Sequence, residues 1–146
     1  MTFALDLSKF AEKAGKAADL VVRKIVLDIG TRLVYRTPVG DPSYWLSAPP
    51  PGYVGGRARG NWQYAIGEPN TNETGIIDSS GDSTIGAIDI ASEGAASEVH
   101  YITNTLPYIQ RLEDGYSRQA PPQGIVALTV MEYQDIVGNA VSEVNQ

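Results

Sequence analysis

The chain has 146 residues, no cysteine, one histidine (His100) and a formal charge of −6 at pH 7. This length suits one domain, residues 1–146, with a core that needs no disulfides. The cysteine and histidine counts exclude a disulfide framework, a cysteine nucleophile and thiolate or multi-histidine metal sites. The acidic balance argues against nonspecific binding to DNA or anionic membranes as the main role. We expect a soluble intracellular domain, because Asp6 interrupts any signal-like N-terminus and no apolar stretch reaches transmembrane length.

A long helix is predicted from Ser8 to Tyr35, because apolar residues recur there at spacings of three and four. Ser8 or Asp6 is expected to cap its start, and Thr37-Pro38 to end it. The apolar row, which Val22 and Val26 widen, consists of Phe10, Ala14, Ala17, Val21, Ile25, Ile29 and Leu33.

The proline-rich segment, defined as Thr37–Asn61, follows and reads TPVGDPSYWLSAPPPGYVGGRARGN. It holds five of the nine prolines, so its backbone is stiff and cannot form a central strand or a helix interior. Its aromatic residues would lose little entropy on docking, which favours an arm that binds another molecule. The alternative is an arm folded back over its own core.

The middle of the chain predicts two strands around a polar region. Asn61–Gly67 alternates Trp62, Tyr64 and Ile66 with smaller or polar residues, the pattern of a half-buried strand. Glu98–Asn104 is rich in β-formers and is the second strand. Between them, Glu68–Ser83 reads as a loop or mobile hairpin, and Ser83–Ser97 fits a helix or a strand, with helix favoured.

The C-terminal third predicts two more helices. Leu106–Gly115 forms a short one, with Pro107 in the first turn and a terminal glycine. After the connector Tyr116–Gly124, the apolar row Val126, Val130, Tyr133, Val137, Val141 and Val144 favours a second amphipathic helix from Ile125 over a strand. The β-branched residues at its start leave Ile125–Val130 open between the two. The predicted fold class is α+β, with long N-terminal and C-terminal helices packed on a small, mostly antiparallel sheet and a long proline-rich arm.

The sequence contains few patterns that are typical of catalytic or metal-binding sites. His100 lies inside a predicted strand without a neighbouring nucleophile motif, which favours a structural role. The adjacent pair Glu113-Asp114 would not converge on one point, and Asp78, Asp82 and Asp89 lack the spacing of a calcium loop. Gly55-Gly56 lacks the lysine and the strand–turn–helix context of a phosphate loop. We expect no enzyme, no cofactor and no metal.

Two stretches are typical of a protein–protein interface. Arg57 and Arg59 alternate before the Trp62 strand, and on an extended backbone both would leave the same face to meet carboxylates. The stretch 101–124 concentrates tyrosine and arginine, the residues favoured at binding hot spots. The predicted interface residues are Tyr44, Trp45, Leu46, Tyr53, Arg57, Arg59, Tyr108, Arg111, Tyr116 and Arg118.

The order TPVG…PPPGYVGGRARGNWQ, followed by YITNTLPYIQRLEDGYSRQAP and a hydrophobic C-terminal segment, resembles the tail-completion, or neck, proteins of tailed bacteriophages. The resemblance covers most of the chain, from the first helix through Val130. Many members pass from the Thr-Pro-Val turn almost directly into Gly-Arg-x-Arg-x-Asn/Ser-Trp. This chain instead inserts Asp41–Gly55, which resembles one subgroup of the family.

The resemblance implies a virion structural protein that forms a homo-oligomeric ring in the neck, with no catalytic residues to carry over. Its expected partners are head–tail connector and tail proteins, and genomic DNA would pass through without specific binding. It would be made in the host bacterial cytoplasm and end in the virion, with no membrane contact. The alternatives are a tail terminator that caps the tail tube and, less favoured, a small phage-encoded hydrolase using His100 with Glu98 or Glu113.

Overall fold

The computed structural model describes residues 1–6, 17–92 and 98–145. The described residues form three strands and six α-helices, in the chain order β1 (Thr2–Asp6), α1 (Ala18–Arg36), α2 (Arg57–Gly60), β2 (Trp62–Ile66), α3 (Asp82–Ala91), β3 (Val99–Asn104), α4 (Ile109–Glu113), α5 (Ile125–Met131) and α6 (Tyr133–Val144). This is an α+β fold, as the sequence predicts.

The sheet has the order β1-β3-β2, and both pairings are antiparallel. The central strand β3 pairs Ile102 with Phe3 on one side and with Tyr64 on the other. Phe3 and Leu5 are buried while their neighbours in β1 are exposed, the alternation of an edge strand with one face on the core. The sheet therefore presents one apolar face to the helices.

Helix α1 is the centre of the core. It contacts α3, α5, α6 and α2, and the predicted row Val21, Ile25, Ile29 and Leu33 is buried. Its end is fixed by Thr37, whose hydroxyl donates to Leu33 O at 2.7 Å. The predicted stop at Thr37-Pro38 is thus confirmed. The predicted start, with Phe10 and Ala14, lies outside the described residues.

Strand β1 corrects the predicted architecture. In residues 1–6 the sequence predicts no element beyond a possible helix cap at Asp6, whereas Thr2–Asp6 pairs along β3. The chain therefore enters the fold through the sheet, ahead of its first helix. A period-two signal was present in Phe3 and Leu5, but five residues are too few for periodicity to decide.

The C-terminal helix is also corrected, because it is two helices that meet at Glu132. The Glu132 carboxylate binds Arg36 and Arg32 of α1, with an Arg36 Nη2–Oε2 distance of 2.7 Å. The break changes which side chains face inward. Ile125, Thr129, Ile136 and Ala140 are buried, whereas Val130, placed in the apolar row by the sequence, is half exposed.

The remaining predictions hold with shorter bounds. Helix α3 confirms the favoured reading of Ser83–Ser97 up to Ala91, although residues 93–97 lie outside the described residues. Residues 68–81 contain no strand or helix, which confirms the loop. In β2, Trp62 is buried as expected. The burial of the side chains decreases along the strand, and Ile66 at its end is exposed.

Candidate functional site

The proline-rich segment begins and ends at neighbouring points of the fold. The Trp62 indole N–H donates to the Thr37 hydroxyl at 2.8 Å, which ties the start of β2 to the end of α1. Gly56 N–H donates to Val39 O at 3.1 Å and closes the base of the segment. Between Val39 and Gly56 the backbone forms a 3-10 turn, Pro42–Tyr44, and a second turn in which Tyr53 N–H donates to Pro50 O at 3.1 Å. The segment is therefore a loop whose two ends are held together at the core.

Two aromatic rings organise the segment internally. Trp45 and Tyr53 lie edge to face, with ring centroids 4.8 Å apart. The Tyr53 hydroxyl donates to Gly40 O at 3.0 Å and lies 3.4 Å from Val39 O. A backbone N–H at Asp41 donates to the Gln119 side chain at 2.9 Å. In these contacts the segment folds back against its own chain, the alternative left open by the sequence.

A cavity of about 640 Å³ lies between the segment and residues 108–119. We call it the aromatic groove. Its aromatic lining is Trp45, Tyr53 and Tyr108, and the rest of its lining is Pro38, Val39, Gly40, Pro50, Gly52, Val54, Arg57, Ala58, Ile77, Leu112, Ser117 and Gln119. Trp45 and Tyr108 each remain more than a third exposed, so the groove is open to solvent. Its volume falls in the range of ordinary binding sites.

Asn104 fixes the two walls of the groove relative to each other. This residue is fully buried at the end of β3. Its side-chain amide donates to Ala58 O of α2 at 2.8 Å, and its Oδ1 accepts from Leu106 N–H, which leads into α4. The same Oδ1 accepts from the Asn61 amide. Because buried polar groups of this kind are costly to leave unpaired, the network holds the groove in one shape.

Several residues of the groove lining carry hydrogen-bond donors. Among the described residues, no acceptor is bonded to the Trp45 indole N–H, the Tyr108 hydroxyl or the Gln119 amide N–H. Arg57 lies at the rim, with Nη2 2.7 Å from Glu73 Oε2. Burial raises the pKa of Tyr108, against a smaller opposing effect of the Arg57 charge, so its hydroxyl is protonated at neutral pH. The arrangement suits a ligand that is apolar and rich in acceptors.

Four of the predicted interface residues, Trp45, Tyr53, Arg57 and Tyr108, are brought together in this groove. The sequence missed its aliphatic lining, Val39, Ala58, Ile77 and Leu112. One signal was available, since Ile76-Ile77 interrupts an otherwise polar loop. The other three could be assigned only once the two distant stretches were known to meet.

The paired-arginine prediction is wrong in its geometry. Arg57–Gly60 forms one turn of helix, so Arg57 and Arg59 do not share a face of an extended strand. Arg59 instead donates to three carbonyl oxygens of its own chain, those of Thr37, Ser79 and Tyr35. Arg59 thus joins the end of α1 to the loop before α3. Of these two arginines, Arg57 is the one whose side chain stays more than half exposed.

The other predicted interface residues lie outside the groove lining. Leu46 is completely exposed beside Trp45. Arg111, Tyr116 and Arg118 are exposed on the wall segment, and the Arg111 guanidinium carbon lies 5.5 Å from the Tyr116 ring centre. Tyr44 ends the 3-10 turn, and its side chain is outside the described part of the structure.

The residues of the hydrolase alternative are used structurally. His100 is buried in β3, and its Nδ1 lies 2.5 Å from the Tyr64 hydroxyl, whose pKa burial raises to about 12. The Glu113 carboxylate accepts from Val126 N–H and Ala127 N–H at the start of α5. Gly55-Gly56, considered for phosphate, closes the segment base through the Gly56–Val39 hydrogen bond. Glu113 thus binds the start of α5, and the pairing of His100 with Glu98 or Glu113 stays a prediction.

Searches of the described residues for a metal site find no group of three or more potential side-chain ligands. No helix within the described ranges is long and apolar enough to cross a membrane. Comparison of the chain with protein-family models, with curated proteins and with solved structures finds no match. The features of the chain that bear on its function are therefore the groove, the exposed part of the proline-rich segment and the motifs of the sequence.

Proposed function

We propose that this chain is a virion structural protein of a tailed phage, which forms an oligomeric ring in the neck and joins the head-side connector to the tail. One observation carries the proposal. The two stretches on which the sequence resemblance depends, Thr37–Asn61 and 101–124, fold against each other and form the aromatic groove. The resemblance thus converges on one surface, which is lined by large aromatic and aliphatic side chains.

The character of this surface fits an assembly protein. A ring requires that one surface of a subunit meets a different surface of its neighbour. Trp45 and Tyr108 supply large rigid contact areas, the kind of residue that dominates binding energy at interfaces. Leu46, completely exposed on the same segment, adds an apolar contact that has no partner within its own described chain.

The net charge of −6 fits a conduit for DNA. Cationic side chains around a channel would bind phosphates and retain the genome, whereas an acidic subunit leaves it free to slide. Of the groove lining, only Arg57 is cationic, and its charge is opposed by Glu73. A ring lumen lined by many arginines and lysines would contradict this part of the proposal.

The test replaces residues 41–54 with a short glycine-serine linker in the phage gene. Because Val39 and Gly56 are hydrogen-bonded neighbours, the linker closes without displacing α1 or β2. We expect folded subunits whose heads and tails accumulate unjoined. The matched control is Ile90→Ser, which removes another exposed aliphatic side chain, on α3 away from the groove, and should give infectious particles. Normal particles from the linker variant would refute a role of this segment in joining.

A further inference from the structure

We infer that the aromatic groove of one copy binds the exposed run Leu46–Pro51 of a second copy. The inference rests on the proposed function, because a homo-oligomeric ring brings copies of this chain together. It adds the identity of the two contacting surfaces. The run reads Leu-Ser-Ala-Pro-Pro-Pro, and every residue in it is exposed.

The lining of the groove matches a polyproline II segment. Grooves that recognise such segments are lined by aromatic rings, between which the ridges of the extended chain pack. Trp45, Tyr53 and Tyr108 provide three rings from two separate stretches of the chain, and Pro38 and Pro50 add further flat apolar surface. Three successive prolines stiffen the run in an extended form, so it loses little entropy on binding.

The hydrogen-bonding groups are complementary as well. Pro49, Pro50 and Pro51 have no backbone N–H, and Pro49 and Pro51 offer carbonyl oxygens, whereas Pro50 O already accepts from Tyr53 N–H at 3.1 Å. Trp45, Tyr108 and Gln119 of the groove lining carry N–H and O–H groups that can donate to such carbonyls. A ligand rich in backbone donors would leave these groups unpaired, which costs binding free energy.

The run and the groove of one subunit overlap only at Pro50. Of the six residues in the run, only Pro50 lines the groove of its own copy. Leu46, Ser47, Ala48 and Pro49 are exposed and do not line it. One copy can therefore offer its run to one neighbour while its groove receives the run of another. A contact between unlike surfaces of this kind propagates from copy to copy, as a ring requires.

The first test titrates the peptide of residues 46–52, LSAPPPG, into the purified protein and follows tryptophan fluorescence. The peptide contains no tryptophan, and Trp62 is buried, so the groove residue Trp45 supplies the exposed signal. We expect saturable binding, at least about tenfold weaker for the peptide LSAAAAG and for the variant Tyr108→Ala, the loss that one aromatic contact gives. Tyr116→Ala is the matched control, because Tyr116 is exposed on the same wall but does not line the groove.

No saturable binding, equal binding of the alanine peptide, or equal losses at Tyr108 and Tyr116 would overturn the inference. Equally tight binding of an unrelated proline-rich peptide would overturn the assignment to a second copy and make the groove a receptor for another protein. If the peptide fails to bind while the protein is found as a ring in virions, the inference alone fails. If the peptide binds and virions lack the protein, the proposed function fails instead.

The second test uses two variants that each keep half of the contact. Leu46→Ser damages the run and keeps the groove, and Tyr108→Ala does the reverse. In sedimentation at high concentration, we expect the wild type to form complexes of several copies and each variant alone to remain smaller. An equal mixture should stop at two copies, because one intact contact remains per pair. A mixture that behaves like either variant alone would contradict the inference.

Discussion

At the scale of single residues, Thr37 joins the end of α1 to the start of β2. Its hydroxyl donates to Leu33 O at the end of α1 and accepts from the Trp62 indole at the start of β2, and the residue is fully buried. Because the indole N–H has no access to water, it depends on this one oxygen. The residue that opens the proline-rich segment therefore also holds the core together.

We expect Thr37→Val to lower the free energy of unfolding by about 1–3 kcal/mol, the usual cost of leaving a buried donor unpaired. Thr31→Val is the matched control, since the Thr31 hydroxyl also donates to the carbonyl four residues earlier, at 2.7 Å, but accepts nothing from a distant residue. Its loss should cost less than about 0.5 kcal/mol. Urea unfolding measures both variants, and equal losses would show that the indole bond contributes nothing.

Gly40 decides how closely Tyr53 approaches the backbone. Its φ is +85°, and a β-carbon at this position would collide with the Tyr53 hydroxyl. We expect Gly40→Ala to destabilise the protein by about 2–3 kcal/mol, from a strained conformation combined with a displaced ring. Tryptophan fluorescence should change with it, because the ring of Trp45 packs on Tyr53.

Gly52→Ala is the control for Gly40→Ala. Gly52 has a similar φ of +75°, but nothing lies within 4 Å of an added β-carbon. It should lose only the conformational part, about 1 kcal/mol, and leave the fluorescence unchanged. Equal losses of stability in the two variants would mean that the Tyr53 contact does not constrain the segment.

At the scale of elements, Asp78 organises the start of α3. Its carboxylate accepts from Thr84 N–H and the Thr84 hydroxyl, and also from Gly81 N–H and the Ser80 hydroxyl. Burial by itself would raise the pKa of Asp78, but these hydrogen bonds outweigh it and lower the pKa below the ordinary value of 3.8. Ionised Asp78 therefore stabilises the fold at pH above about 4, and this contribution is lost as pH falls through the lowered pKa.

We expect Asp78→Asn to lower the free energy of unfolding at pH 7 by about 2 kcal/mol, since an amide cannot accept all these bonds. The difference from the wild type should shrink as the pH falls through the lowered pKa of Asp78, because the wild-type carboxyl then becomes protonated too. Asp82→Asn is the control, because Asp82 is exposed and its carboxylate accepts only from the Tyr35 hydroxyl. A difference that stays constant with pH would contradict the assigned role of the charge.

Elements with long apolar periodicity were predictable, and short ones were not. The row from Val21 to Leu33 describes α1 correctly because four turns repeat the same signal. Strand β1 was missed because its burial depends on pairing with β3, about a hundred residues away. The break at Glu132 depends on Arg32 and Arg36 of another helix, so no local pattern could indicate it.

At the scale of the whole molecule, the candidate site was predictable in composition but not in geometry. Aromatic residues among prolines indicated a binding element, and Trp45, Tyr53 and Tyr108 do share one groove. The extended arginine pair was wrong because Arg59 finds carbonyl acceptors at the end of α1 and in the loop before α3. These partners are set by the tertiary fold, which brings together stretches far apart in sequence.

In the proposed ring, the groove of each copy would receive the exposed run of its neighbour. The groove keeps its shape through Asn104 and through the contacts of Tyr53 with the backbone of Val39 and Gly40. Leu46 and its neighbours extend from the same framework. Rigid presentation on both sides lowers the entropy lost on assembly, which suits a structural protein that is ordered before it meets its partners.

The most direct test of the central claim is an electron cryomicroscopy map of an intact virion of the phage that encodes this chain. The account predicts a ring of these subunits between the head-side connector and the tail, with the proline-rich segment of each copy at a subunit interface. Absence of the protein from the virion, or a position outside the neck with the aromatic groove exposed to solvent, would contradict it.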